Sequence, residues 1–183
     1  ISRKYNKKIF LMYNSTKLIE QLKKKKYNIE VHQHQALFTV EDSRNLRGKI
    51  FGAHSKNLFL KNKKSKFFLI SCEESIGIDL KKISKSLELG NISFAKEKYL
   101  DQHLKIKPGS VSPFALLNDE NDQVNFYLEK TLYESKFVNF HPLINTLTIT
   151  IETDKFMEFM IENKKKIHIF SSTEEKILKT YGW

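Results

Sequence analysis

Cysteine is almost missing from this 183-residue chain: Cys72 is the only one. A single thiol excludes an intrachain disulfide framework and fits a reducing compartment, so the cytosol is the default expectation. Long apolar runs are missing too. None approaches the roughly 18–20 residues that a membrane span needs, and no membrane partner is expected. The run from Ile9 to Tyr13 is shorter than the ~7–15-residue core of a secretory signal. Proline occurs only at Pro108, Pro113 and Pro142, and glycine six times. No Pro/Gly/Ser-rich linker and no internal repeat divides the chain, so residues 1–183 are expected to form one domain. Arginine is limited to Arg3, Arg44 and Arg47 among 32 basic residues. Bidentate forks for phosphate or guanine are therefore few. The Gly-x-Ser-x-Gly elbow, the P-loop and the dinucleotide fingerprint are also absent.

What is present argues for a folded globule. Hydrophobic residues make up 40% and aromatics 12% of the chain, enough to bury a real core. The net charge is +11 and the pI about 9.5. An anionic partner such as nucleic acid is the functional reading of that excess. Richness in Lys, Asn and Ile is equally what a biased genome composition produces. Charge alone thus supports weak, salt-dependent attraction to phosphates and nothing sharper.

The apolar periodicity predicts a helix over Ser15–Lys26, capped by Ser15 or Asn14, with Leu18, Ile19 and Leu22 on one face. Asn28–His32 alternates as a strand with Ile29 and Val31 inward. Thr39 and Asp42 resemble a capping box for a short helix to Leu46. Asn57–Lys61 and Lys66–Cys72 flank a polar turn and predict a hairpin. Asp79 can cap a helix to Leu87. Ile92–Ala95 is expected as a strand and Lys96–Leu104 as a helix. Phe114–Asn118 and Val124–Leu128, around Asp119–Asp122, again give a hairpin signal. Phe137–Phe140 and Leu147–Ile151 are expected strands, Asp154–Asn163 a helix, Ile167–Phe170 extended, and Thr173–Tyr181 a closing helix. Strands and helices mixed without strict alternation predict an α+β domain around one mostly antiparallel sheet flanked by helices.

Three segments gather unusual residues: His54–Lys61, Lys107–Asp119 and Phe140–Thr146. They contain every proline of the chain. In the middle one, Gly109 and Pro113 bracket small polar residues, as in rigid loops that offer amide N–H groups to a ligand. Lys56 enters an apolar strand, where it can meet an anion or simply snorkel. His141 before Pro142 is held extended and is either a general base or a structural histidine. Asn145 and Thr146 suit a turn. His32 and His34 share a strand face, but a metal site would want further ligands; no metal and no cofactor is expected. Glu73 and Glu74 beside Cys72 would raise its pKa, which argues against a nucleophile.

In their order and spacing these segments resemble the YbaK/ProX aminoacyl-tRNA editing family, most of all its free-standing ProX/PrdX branch. The likeness runs from about Ile29 to Phe159 and includes His34–Glu41, which is similar to the family's N-terminal motif. The resemblance implies a deacylase acting in trans, which removes alanine from alanyl-tRNA(Pro). It implies Lys56 as the essential lysine with Asn57 as its neighbour. It implies Gly109, Ser110, Val111, Ser112 and Pro113 as the loop whose amides hold the substrate carbonyl. His141 then matches the histidine of the Phe-His-Pro turn, acting partly through its backbone, with Asn145 and Thr146 beside the substrate. A hydroxyl of the terminal ribose would help to position water. The implied partners are tRNA at its acceptor end and, transiently, prolyl-tRNA synthetase; a monomer is the default. Gln33 and Gln35 depart from the family pattern, and nothing after Asn163 is similar to it. Sister specificities for cysteinyl-, seryl- or other small aminoacyl-tRNAs stay open, as does a non-catalytic tRNA-binding or regulatory module.

Overall fold

Residues Phe67–Cys72 are all buried. A strand with no polar face must be covered on both sides. In the computed structural model, which describes residues 12–36 and 49–182, that segment is β3 (Phe67–Glu73). It lies inside a nine-stranded sheet. Across the sheet the strands run β1 (Ile29–Gln33), β7 (Leu147–Glu152), β6 (Phe137–Phe140), β2 (Ala53–Asn62), β3, β5 (Val124–Glu129), β8 (Ile167–Ser171) and β9 (Lys176–Tyr181). The short β4 (Ile92–Phe94) pairs with β2 off this path. The pairs β1–β7, β6–β7, β2–β3, β2–β4 and β8–β9 are antiparallel; β2–β6, β3–β5 and β5–β8 are parallel. The expected mixed domain with a mostly antiparallel sheet and flanking helices is what forms.

Helices cover both faces. On one, α1 (Ser15–Lys24) inserts Leu18 and Leu22, and α5 (Thr153–Glu162) inserts Phe156, Phe159 and Met160. The single turn α3 (Glu97–Tyr99), the π-helical turn Leu100–Leu104 and α4 (Lys130–Glu134) close the same major core. On the other face α2 (Leu80–Ser86) packs Ile83, followed by Leu87, over Leu60, Phe68 and Ile70. The caps are local. Asn14 accepts from Lys17 N–H at 2.9 Å, and Asp79 from Lys81 and Lys82 N–H at 2.9 and 3.1 Å. Each such cap is worth about 1 kcal/mol. Among the described residues no helix is long and apolar enough to cross a membrane.

Three expectations fail, each for a tertiary reason. Phe114–Asn118 is not a hairpin arm but part of a 3-10 helix, Pro113–Asn118. Pro113 has its φ preset for a first helical position, and Ser112 caps it. Every residue of that helix is buried, so its polarity pattern carries no period. Val124–Glu129 pairs instead with β3 and β8, in parallel. Thr173–Tyr181 does not form a helix; Lys176–Tyr181 is β9, which satisfies the open edge of β8. Val31 is 38% exposed rather than inward, because β1 is an edge strand, while Ile29 does pack on the major core. The helix expected over Thr39–Leu46 lies outside the described residues.

Candidate functional site

The site begins with a notch in the sheet. β2 is ten residues long, and one of its edges is shared between two strands. Ala53 and His54 pair with Val138 and Asn139 of β6. Leu60–Asn62 pair with β4. Between them, among the described residues, no strand pairs on that edge. The flanks of the notch are pinned by Ser55 Oγ donating to Asn139 O at 2.8 Å and Ala95 N–H donating to Phe59 O at 3.0 Å. Lys56 and Asn57 lie in this gap.

The pleat separates these two neighbours. Ala53 and Phe59 face the major core, whereas Leu58 and Leu60 face the minor one. With period two, Ser55 and Asn57 share the first face, and His54 and Lys56 the second. Asn57 Oδ1 accepts from Ser71 Oγ at 2.5 Å, and its Nδ2 donates to Ser55 Oγ at 3.3 Å. Its amide is therefore engaged in joining β2 to β3. Lys56 Nζ donates to Glu74 O at 3.1 Å and also to Ile76 O. The ammonium thus holds the turn between β3 and α2.

The second face continues as a polar surface over β6, β7 and β1. The register places Glu30, Thr150, Asn139 and His54 in one row. It pairs His32 with Thr148 in the next, and one step beyond the paired residues that row reaches His141 and Lys56. Asn139 is 3% exposed and organises this surface. Its Nδ2 donates to Phe51 O at 2.8 Å and Ala53 O at 3.3 Å, while its Oδ1 accepts from Thr150 Oγ1 at 2.6 Å. The Thr150 proton being spent there, His32 Nε2–H must donate to Thr150 Oγ1, at 3.0 Å. The sequence reading did not single out Asn139 or Thr150. The one available signal was an amide side chain alone between Val138 and Phe140.

His141 closes the row. Its Nδ1 lies 2.7 Å from Leu147 O. A carbonyl only accepts, so Nδ1 bears the proton and neutral Nε2 keeps a lone pair. Burial pushes the imidazole pKa below its usual value, and His34, with ring centroids 5.9 Å apart, pushes the same way against the Leu147 hydrogen bond. His34 is itself held by its Nδ1 on Gln35 O at 2.7 Å and its Nε2 near Thr148 Oγ1 at 2.9 Å. The Thr146 carbonyl accepts from His34 N–H at 3.0 Å, and Asn145 sits half-buried in the same turn. Leu143 there has φ +66°, a left-handed backbone uncommon for a non-glycine residue.

The Gly109 loop approaches through the aromatic core. Ser110 N–H bonds Lys107 O at 3.1 Å, with Pro108 and Gly109 between them and Gly109 at φ +83°. This is the pattern of a type II turn, which requires glycine at its third position. Ser112 Oγ accepts from Phe114 N–H at 3.3 Å. Phe114 then packs edge-on against Phe140, with centroids 6.0 Å apart, and against Phe156 at 5.5 Å. The loop's exit and the residue before His141 thus share one cluster. The turn engages the Ser110 N–H, and Pro113 has none. Gly109, Val111 and Ser112 N–H make no hydrogen bond to another described residue, although Ser112 is fully buried. Among the described residues these amides are donors left available to a ligand.

Cys72 is excluded as a nucleophile at neutral pH. Burial pushes its pKa up to about 12, with Lys56 opposing and Glu129 and Glu73 adding to the rise. Among the described residues no group of three His, Cys, Asp or Glu could hold a metal ion.

Comparison with known proteins identifies the family. The aminoacyl-tRNA editing domain pattern matches residues 34–159. Prolyl-tRNA synthetase associated domain-containing protein 1 of Bos taurus is 37% identical over 136 residues, 72% of this chain and 79% of that protein. Prolyl-tRNA editing protein ProX of Acetoanaerobium sticklandii is 29% identical over 147 residues, 80% of this chain and 90% of that protein. A crystal structure proposed to be a trans-editing enzyme for prolyl tRNA synthetase superposes with a TM-score of 0.60 at 15% identity. It covers 86% of this chain and 96% of that one, which shows the shared fold. By pattern and by relatives alike, this chain belongs to the aminoacyl-tRNA editing domain family.

Proposed function

We propose that the protein is a trans-editing hydrolase that removes alanine from mischarged alanyl-tRNA(Pro). The observation that carries this reading is the Gly109–Pro113 loop, whose Gly109, Val111 and Ser112 N–H groups bond no other described residue, in a chain of the editing family. Water attacks the ester carbonyl, and the developing oxyanion is held by the N–H groups of Gly109, Val111 and Ser112. Removing one such donor typically costs about 2.7–4 kcal/mol of barrier. Gly109 permits the tight turn, and Pro113 fixes the loop's exit.

Lys56 holds the turn after β3 and presents its remaining donor to the substrate's phosphate or ester region. His141 is neutral at pH 7, so its Nε2 can accept a hydrogen bond from the attacking water or the ribose hydroxyl. The free ribose hydroxyl of the substrate helps to position that water. Discrimination is steric: one methylene is worth only ~1–3 kcal/mol in an apolar pocket, so a second, smaller sieve separates alanine from proline. The names of the relatives, built on prolyl-tRNA synthetase and prolyl-tRNA editing, support a task beside that synthetase.

The test is a deacylation panel with alanyl-, cysteinyl-, seryl- and threonyl-tRNA, using wild type and Lys56→Ala. Hydrolysis of alanyl-tRNA(Pro) that is lost in the variant is the expected outcome. A preference for cysteinyl- or seryl-tRNA would replace the alanine assignment. Inactivity on all four substrates would sink the enzyme reading.

A further inference from the structure

The second face of the sheet carries a groove that the chemistry at Lys56 does not use. α2 starts just after Ile76, which Lys56 holds, and its C-terminal end packs beside Asn62, so it runs along β2. Between α2 and β4 lies an open groove of about 550 Å³, with Lys81, Ser84 and Lys85 on one wall and Asn91 and Ile92 on the other. Lys81 and Lys85 are one helical turn apart, about 6 Å along the axis. The lysine between them in sequence, Lys82, is neutralised by Glu175 at 3.0 Å. Lys81 and Lys85 form no ion pair with a described residue. Asp79 is engaged as the α2 cap, and among the described residues Glu88 is the one carboxylate lining the groove. Past Glu88 the surface continues to Lys63, Lys64 and Lys66.

Phe94 ends β4, the strand whose first residue, Ile92, lines this groove. It is 63% exposed, more than any other large apolar side chain of the described residues. Its register partner is Leu60, so it projects on the same face as Lys56. Four residues of β2, about 13 Å, separate that level from Lys56. An exposed ring on the same face as a lysine-lined groove suits a surface that tracks a phosphate backbone and stacks bases.

Resting on the editing reading, we propose that this groove holds the acceptor arm of tRNA. Stem phosphates lie on Lys81 and Lys85, and the single-stranded 3′ end stacks on Phe94 as it crosses toward Lys56. Charge complementarity selects the occupant: an acidic, flexible strand ending in the ester satisfies both features, and the contacts position the substrate without reading sequence.

The test is fluorescence anisotropy with an uncharged tRNA transcript, so it does not depend on hydrolysis. Lys81→Ala/Lys85→Ala should bind about tenfold more weakly at low salt, with the slope of log K against log salt falling by ~1.8 for two duplex phosphate contacts. Lys23→Ala/Lys24→Ala removes equal charge from α1, on the other face of the sheet, and should change little. Phe94→Ala should weaken binding of the intact transcript but not of one lacking its last four nucleotides. Unchanged affinity of the groove variant, or equal weakening by the control pair, overturns the proposal. So does a Phe94→Ala effect that persists on the truncated transcript, or one that appears only as loss of a dimer in sedimentation. Circular dichroism checks that the variants fold. Groove-dependent tRNA binding with no ester hydrolysed would sink the editing reading and leave this surface standing.

Discussion

Replacing Asn139 with leucine tests whether the polar face is a construction or a coincidence. The substitution keeps the volume and removes the amide. Three hydrogen bonds go with it: to Phe51 O, to Ala53 O and from Thr150 Oγ1. Thr150 is 1% exposed, so its hydroxyl loses its acceptor where water cannot replace it. That orphaned group costs about 1–3 kcal/mol, and the two lost carbonyl bonds ~0.5–1.5 kcal/mol each. Burying the leucine offsets roughly 1–2 kcal/mol. The net expectation is about 2–3 kcal/mol, read as a lower urea midpoint at unchanged m-value. In a chain of this length it corresponds to a Tm fall of roughly 5–10 °C. Thr150→Val supplies the second corner of a double-mutant cycle, with an expected coupling above ~1 kcal/mol. Asn139 also fixes where β2 begins, so the same variant should lose deacylation out of proportion to its unfolded fraction: a 1 Å displacement of positioned groups can cost ~10²-fold. A stability change under ~0.5 kcal/mol, or additivity within that margin, would refute the reasoning.

Gly109→Val forces a β-branched residue to φ +83°. It should cost ~1–3 kcal/mol of local strain and abolish turnover while the far-ultraviolet circular dichroism stays native. Gly52→Ala puts a Cβ 3.0 Å from Phe137 Cβ and 3.2 Å from Asn139 Nδ2, at φ +90°. A urea melt should show a loss of at least ~1 kcal/mol. His141 has its pKa lowered by burial, so the unfolded chain binds its proton first on acidification. Its contribution is complete above the unfolded value, near 6.5, and is lost as pH falls below it. His141→Gln should therefore flatten the stability–pH curve as pH falls below about 6.5, and an unchanged slope would contradict the burial.

Much of the local shape around the candidate residues was legible because it is set within a few positions. A Pro-Gly pair followed by small polar residues and a second proline can make few backbone shapes, and Pro108–Pro113 makes one of them. The caps at Asn14 and Asp79, and the β2–β3 hairpin, are likewise set within a few residues. The misreadings share a cause. In Phe114–Asn118 all side chains are buried, so no face distinguishes strand from helix. In Lys176–Tyr181 most side chains are exposed, and the strand exists because β8 needs an edge partner. Lys56 and Asn57 are adjacent in sequence, yet the pleat sends them to opposite faces of the sheet.

The sequence by itself determined which chemistry-bearing residues were available: a loop between two prolines, a lysine entering an apolar strand, a histidine held before proline, and a single cysteine. Only the tertiary structure decided their arrangement. The notch between β6 and β4, the row reaching His141 and Lys56, and the Asn139 network arise from strand register, which joins residues more than 80 positions apart. Register is a property of the whole sheet, fixed by which faces must be buried, and no local pattern encodes it.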